Sequence, residues 1–172
     1  MLKGEDVVVL LKLVGEPPAW TVRSLEAEVG IPRSVIHRSI GRLAAAGLID
    51  AASRRVNVSQ AEEFLIHAVK YVFPAVVGGE TRGIPTAWAA PPLAAALAPA
   101  SDLPPVWPDP MGEVRGIALE PLHDSATEIA RRSPALAERL ALVDALRLGD
   151  VRVRELAGRL LHERLSEAAV AA

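Results

Sequence analysis

The 172-residue chain contains no cysteine and few aromatic residues. The absence of cysteine excludes disulfides, thiolate zinc sites and a cysteine nucleophile, and it suits a reducing compartment. Because aromatic residues make up only 3%, a hydrophobic core must consist mainly of Leu, Val, Ile and Ala. Hydrophobic residues at 51% and charged residues at 23% are typical of a folded globular protein rather than a disordered one.

The N-terminal region also lacks a long hydrophobic run. The apolar stretch from Val7 to Leu11 follows two acidic residues and is broken by Lys12. It is too short for a signal peptide or a membrane span. We therefore expect a cytoplasmic protein with no membrane partner.

The net charge of −2 gives no overall excess of positive charge, but the charge is unevenly distributed. Residues 1–60 carry eight Lys/Arg against six Asp/Glu, whereas residues 61–172 carry eleven against fifteen. A mildly basic N-terminal part followed by an acidic remainder is compatible with nucleic-acid binding by the N-terminal part.

The first third of the chain predicts the order helix, helix, turn, helix, hairpin, helix. Apolar residues between Gly4 and Gly15 recur on one helical face, and two short strands, Leu48–Asp50 and Val56–Val58, flank a polar turn. Helix starts and ends are marked by capping, proline and glycine residues. These are Thr21, Pro32 and the pair Ser59 and Glu62 at the starts, and Gly15, Gly30 and Gly47 at the ends.

The third helix, residues 32–46, carries the residue types that a DNA-reading helix needs. Its apolar stripe is Val35, Ile36, Ile40 and Leu43, which leaves an outer face of polar and basic side chains. Arg can bind guanine edges through two hydrogen bonds, and other polar groups can bind phosphates. The hairpin tip and the preceding helix add further candidates. The predicted DNA-contacting residues are Arg23, Ser24, Arg33, Ser34, His37, Arg38, Arg42, Arg54 and Arg55.

The segment from Trp20 to Ile49 resembles the winged-helix domains of MarR-like and IclR-like bacterial transcriptional regulators. The specific features are Ile31-Pro32-Arg33-Ser34 at the start of the third helix, His37-Arg38 in its middle, and the Leu-x-x-x-Gly-Leu pattern from Leu43 to Leu48. The resemblance covers roughly residues 5–72 and implies a winged helix-turn-helix that binds double-stranded DNA. It does not extend to an effector domain or to dimerisation helices.

The region 74–121 differs in character, since it holds ten of the fourteen prolines. Because it also contains Trp88 and Trp107, we expect an ordered, loop-rich region with short strands rather than a disordered linker. The tripeptide Arg-Gly-Ile occurs at residues 82–84 and again at 115–117. A paired-strand motif and coincidence are both open explanations.

The C-terminal part, residues 122–166, predicts a helical hairpin. Asp124 or Ser125 is a possible cap for a first helix, Ser133-Pro134 opens the next, and Asp150 caps another after Gly149. The predicted fold is therefore mainly α with small β. A winged helix-turn-helix domain spans residues 1–73, and a C-terminal domain for dimerisation, partner binding or sensing spans residues 74–172.

The sequence gives little support for a catalytic site or a metal site. The run His123-Asp124-Ser125 holds three catalytic residue types, but a triad is assembled by geometry and not by adjacency, so helix capping is the better interpretation. None of the four His residues has the spacing of a metal site, and we predict no cofactor, metal or enzymatic activity. Trp88 and Trp107 could line a small-molecule pocket, although such residues more often cover a core.

These observations predict a sequence-specific double-stranded DNA-binding transcriptional regulator, expected to act as a homodimeric repressor. One alternative is an antitoxin-like interaction protein whose C-terminal domain binds a protein partner and which also represses its own operon. Another is a regulator that responds to a small molecule bound between the domains.

Overall fold

The computed structural model describes residues 1–99 and 101–172, so one position of the predicted Pro-rich region lies outside it. Helices dominate and strands are short, which confirms the predicted class of mainly α with small β. The element order predicted for the first third of the chain is also observed. The helices there are α1 (Gly4–Leu13), α2 (Val22–Val29) and α3 (Arg33–Ala45), followed by a hairpin of β1 (Ile49–Asp50) and β2 (Arg55–Val56).

The helix after the hairpin differs in detail from the prediction. It consists of α4 (Val58–Glu63), a π-helical turn (Phe64–Ala68) and α5 (Val69–Val72). Its N-cap is Asn57, whose side chain accepts a hydrogen bond from the Gln60 amide, so the predicted Ser59–Glu62 capping box is wrong. Because the helix starts earlier, Val58 belongs to α4 and not to a strand. Asx side chains compete well for this capping position.

Within the described residues, the Pro-rich region contains strands, as predicted, and there are three of them. They are β3 (Val77–Pro85), β4 (Pro105–Pro108) and β5 (Val114–Leu119), with a short helix α6 (Leu93–Ala96) between β3 and β4. Antiparallel β3 pairs with both other strands, and β4 and β5 are parallel. The two Arg-Gly-Ile copies lie on paired strands, with Arg82 opposite Arg115, so the paired-strand explanation is correct. A Cβ on Gly83 would lie 2.0 Å from the Trp107 carbonyl oxygen, so glycine allows β3 and β4 to approach.

The C-terminal helices are α7 (Ala126–Arg132), α8 (Pro134–Leu148) and α9 (Val151–Ala171). The side chains of Ser133 and Asp150 cap α8 and α9, as predicted. Ser125 precedes α7 but makes no side-chain capping bond to it. Helix α9 continues to Ala171, beyond the predicted end near Leu165. No helix in the described ranges 1–99 and 101–172 has the length and apolar composition needed to cross a membrane.

Helix α1 lies in the middle of the core instead of presenting one apolar face. Its consecutive residues Asp6 to Leu11 are all buried, because α2, α3 and α8 pack around it. The resulting hydrophobic cluster includes residues from Val7 to Leu165 and therefore continues across residue 73. The division into domains at 1–73 and 74–172 stays a prediction.

Candidate nucleic-acid interface

Helix α3 presents the predicted outer face to solvent. Arg33, Ser34, His37 and Arg38 are exposed, whereas Ile36 and Leu43 are buried against the core. Within the part of the chain that the structure describes, Ser34, His37 and Arg38 make no side-chain hydrogen bond or ion pair, so these groups are available to a ligand. This face lies at the N-terminal end of α3, where a groove-binding helix makes its base contacts.

Arg33 is exposed and forms an ion pair with Glu26. Its Nε lies 2.9 Å from Glu26 Oε2, and its backbone amide donates to the same carboxylate at 3.3 Å. Glu26 belongs to α2, so this contact fixes the angle between the two helices. The Arg33 side chain keeps 63% of its surface exposed, which leaves donors for another partner.

Arg42 points inward and not toward the outer face. Its guanidinium donates to both oxygens of Asp6 on α1, from Nε at 2.8 Å and from Nη2 at 2.6 Å, and Nη2 also lies 3.2 Å from Glu5. The hydrogen bond to Asp6 raises the pKa of Arg42 above its ordinary value. The prediction that Arg42 lies on the outer face is therefore wrong, because its charge neutralises a buried carboxylate that would be costly to leave unpaired. Its DNA contact stays a prediction.

Ser39 completes this buried cluster, and the sequence interpretation missed it. Its side chain is fully buried and its Oγ donates to Asp6 Oδ1. Asp6 also accepts from the Lys3 amide at 2.7 Å, which caps α1. The signal was present in the sequence, because an acidic residue at the edge of an apolar helix needs a partner when that helix is buried.

Arg54 at the hairpin tip is held by Trp20, in the loop before α2. Its guanidinium carbon lies 4.1 Å from the Trp20 ring centre, and Nη2 donates to the Trp20 carbonyl oxygen. In return, Trp20 Nε1 donates to the Arg54 carbonyl oxygen at 3.2 Å. Arg54 has φ 60°, in the left-handed region that favours glycine. Arg54 thus has an intramolecular partner although it is exposed, and its DNA contact stays a prediction.

The remaining predicted DNA-contacting residues also divide into side chains that have an intramolecular partner and side chains that have none. Arg23 on α2 and Arg55 on β2 are exposed, and within the described residues their guanidinium groups have no hydrogen-bond partner. Ser24, in contrast, uses its hydroxyl in the capping box of α2, where it accepts from the Thr21 amide at 3.0 Å and donates to the Thr21 carbonyl oxygen at 2.8 Å. The predicted phosphate contact by the Ser24 hydroxyl is therefore corrected.

A second polar cluster lies in the core of the C-terminal part. Asp144 on α8 is completely buried and accepts hydrogen bonds from Thr86 Oγ1 at 2.7 Å, Trp107 Nε1 at 2.6 Å and Arg147 Nη1 at 2.7 Å. Burial raises the pKa of Asp144, while the charge of Arg147 opposes the rise. Trp107 is thus a core residue, whereas Trp88 is half-buried and borders an open cleft of about 470 Å³ together with Pro85 and Leu97.

The His123-Asp124-Ser125 run forms a local turn and not a triad. His123 Nδ1 lies 2.9 Å from Ser125 Oγ and accepts a hydrogen bond from the Ser125 amide at 3.1 Å, while Asp124 is exposed. Across residues 1–99 and 101–172, His, Asp and Glu side chains form no group of three that could hold a metal ion.

Comparison of the chain with protein-family models, with curated proteins and with solved structures found no match. The likeness of residues 5–72 to MarR-like and IclR-like winged helices therefore rests on the motif residues themselves.

Proposed function

We propose that this protein is a sequence-specific double-stranded DNA-binding regulator of transcription. In this proposal residues 1–73 act as a winged helix-turn-helix, with α3 as the recognition helix and the β1–β2 hairpin as the wing. The observation that carries the proposal is the contrast between the two faces of α3. Its inner face is locked to α1 by Asp6, whereas the exposed Ser34, His37 and Arg38 are free of intramolecular partners in the described chain.

The chemistry of the exposed face suits base edges in the major groove. Arg38 can donate two parallel hydrogen bonds to guanine, and Ser34 and His37 can both donate and accept. The exposed Arg23 and Arg55 are placed on elements that flank α3, where a cation can neutralise a phosphate. Arg42, Arg54 and Ser24 belong to the supporting frame.

A homodimer fits this function, because one recognition helix offers few base contacts and two half-sites multiply the affinity. A dimer that reads one face of the duplex would hold its two α3 helices about 34 Å apart, one turn of B-DNA. We propose repression as the outcome, since a dimer bound over an operator competes with other proteins for that DNA.

The test is substitution of Arg38 by Ala, with Arg152→Ala on α9 as the matched control. A preferred site is first selected from a random duplex library with the full-length protein. Fluorescence anisotropy then measures the affinity for this site and for a scrambled duplex. We expect Arg38→Ala to lose about 1–3 kcal/mol for the selected site and much less for the scrambled one. Arg152, an exposed Arg far along the chain from α3, should be neutral.

Two results would contradict the proposal. One is that the library yields no enriched site and the wild-type protein binds no duplex at low salt. The other is that Arg38→Ala and Arg152→Ala have the same effect on both duplexes.

A protein-partner role is the second candidate, and one observation favours it. Exposed large hydrophobic side chains cluster in one short segment, where Tyr71 is 78% exposed and Val72, Val76 and Val77 are about half exposed. Apolar clusters of this kind are commonly covered by another chain. Co-purification of a second chain in fixed proportion to this protein would favour the antitoxin-like alternative.

A further inference from the structure

The hairpin of β1 and β2 is held at its base, where Ile49 is buried and Val56 packs against the core, but its tip lies outside the core. Each strand has two residues, and only the pairs Ile49–Val56 and Asp50–Arg55 are in register. A ladder of two residue pairs has marginal stability by itself. The turn is shaped locally by Asp50, whose carboxylate accepts from the Ser53 amide at 2.6 Å and whose carbonyl oxygen accepts from the Arg54 amide at 2.8 Å. These bonds define the turn but do not attach it to the rest of the molecule.

The attachment of the hairpin tip is supplied by Trp20 and Arg54. Three contacts join these residues: the guanidinium over the indole ring, Arg54 Nη2 to the Trp20 carbonyl, and Trp20 Nε1 to the Arg54 carbonyl. We call this set the Trp20–Arg54 clasp. It spans 34 positions of sequence and links the tip to the residue that precedes the N-cap of α2. An arginine is well suited to it, because its planar group can stack and donate at the same time.

We propose that the Trp20–Arg54 clasp positions the hairpin so that Arg55 meets a DNA phosphate. Trp20 and Arg54 are then positioning residues and Arg55 is the contacting one, an assignment that rests on the proposed function. The two consecutive arginines, alike in sequence, have different roles. Both side chains are exposed, but the guanidinium of Arg54 is bound within the protein, whereas that of Arg55 has no partner within the described ranges.

The salt dependence of DNA affinity separates positioning from direct contact. Each phosphate that a cation neutralises contributes about 0.9 to the slope of log affinity against log salt. Trp20 has no charge. A substitution of Trp20 therefore alters the slope only if the substitution moves a cationic side chain of the protein away from the DNA. A purely structural loss of folded protein would lower the amplitude of binding and leave the slope unchanged.

The experiment measures this slope on a scrambled duplex for the full-length wild-type protein and four single variants. It also uses the double variants Trp20→Ala/Arg55→Gln and Arg54→Gly/Arg55→Gln. We expect Trp20→Ala, Arg54→Gly and Arg55→Gln each to reduce the magnitude of the slope by about 0.9, because each variant removes the same phosphate contact. Glycine is chosen at residue 54 because it accepts φ 60° without strain. Trp20→Phe keeps the ring under the guanidinium and should retain a slope near the wild-type value. Combining Trp20→Ala with Arg55→Gln should cause no further loss.

The outcomes distinguish the two levels of the proposal. If the wild-type protein binds no duplex, the proposed function fails and this inference fails with it. If the wild-type protein binds but Trp20→Ala keeps its slope, the clasp does not position the hairpin. If Arg54→Gly and Arg55→Gln each lower the slope and their losses add, Arg54 contacts DNA directly, and the inference is overturned.

Discussion

Two buried aspartates anchor the two parts of this protein, and their arginine partners differ in exposure to water. Asp6 on α1 binds Ser39 and Arg42 of α3, and the Arg42 side chain keeps 21% of its surface exposed. Asp144 on α8 binds Thr86, Trp107 and Arg147, and the Arg147 side chain is only 4% exposed.

The guanidinium groups of the two clusters also differ in what they join. Arg42 contacts only acids of α1, so it fixes one helix on another. Arg147 donates to Asp144 and, at 2.8–3.4 Å, to the carbonyl oxygens of Phe73, Pro74 and Glu120. It therefore ties α8 to the chain after α5 and to the end of β5. Each buried acid thus holds one arginine in a structural role, and the pair whose arginine has less access to water should contribute more to stability.

The largest expected effect is that of Asp144→Ala. Removing the carboxylate leaves the buried Arg147 charge and two further donors without their partner, which should lower the free energy of unfolding by about 3–5 kcal/mol. Urea unfolding followed by circular dichroism measures this change. Asp102→Ala, at an exposed position, is the matched control and should lie within about 0.5 kcal/mol of wild type. If Asp144→Ala lowered the free energy of unfolding no more than the control does, Asp144 would not act as an anchor.

A smaller loss is expected for Asp6→Ala. Ser39 would lose its acceptor in the core, but the partly exposed Arg42 can turn toward water, so the free energy of unfolding should fall by about 1–3 kcal/mol. The same urea experiment gives this value. A loss equal to that of Asp144→Ala would show that solvent access to the arginine does not set the difference between the two clusters.

The smallest changes in free energy are expected for Arg23→Gln and Arg42→Gln. These two variants should nevertheless differ clearly in which property they change, DNA binding or stability. If the proposed function holds, Arg23→Gln should lower the salt slope of DNA affinity by about 0.9 and leave stability unchanged. Arg42→Gln should reduce stability and leave the salt slope as it is, because the Arg42 charge is already neutralised by Asp6. Salt titrations of DNA binding and urea unfolding of both variants make the comparison. Equal slopes for the two variants would contradict the distinction between free and structural arginines.

Local rules predicted much of the fold. Thr21 and Asp150 cap helices, Pro134 opens one and Gly47 ends one, because these positions depend on backbone conformation and on hydrogen bonds within a few residues. The rule failed at Ser59, where Asn57 offered an equally suitable cap two residues earlier. Most exposed positions on α3 were also predicted correctly, since helical periodicity separates an inner from an outer face, but Arg42 points inward.

The sequence by itself determined most of the helices, several of their caps and the outward-facing residues Arg33, Ser34, His37 and Arg38 of α3. Only the tertiary structure decided which arginines are free, because Arg42 and Arg54 find their partners 36 and 34 residues away. It also decided that the Arg-Gly-Ile copies pair and that α1 is buried on every side. Local patterns show that a side chain is basic and on an outer face. Local patterns do not show whether that side chain is already bound by an acid or an aromatic ring from a distant part of the chain.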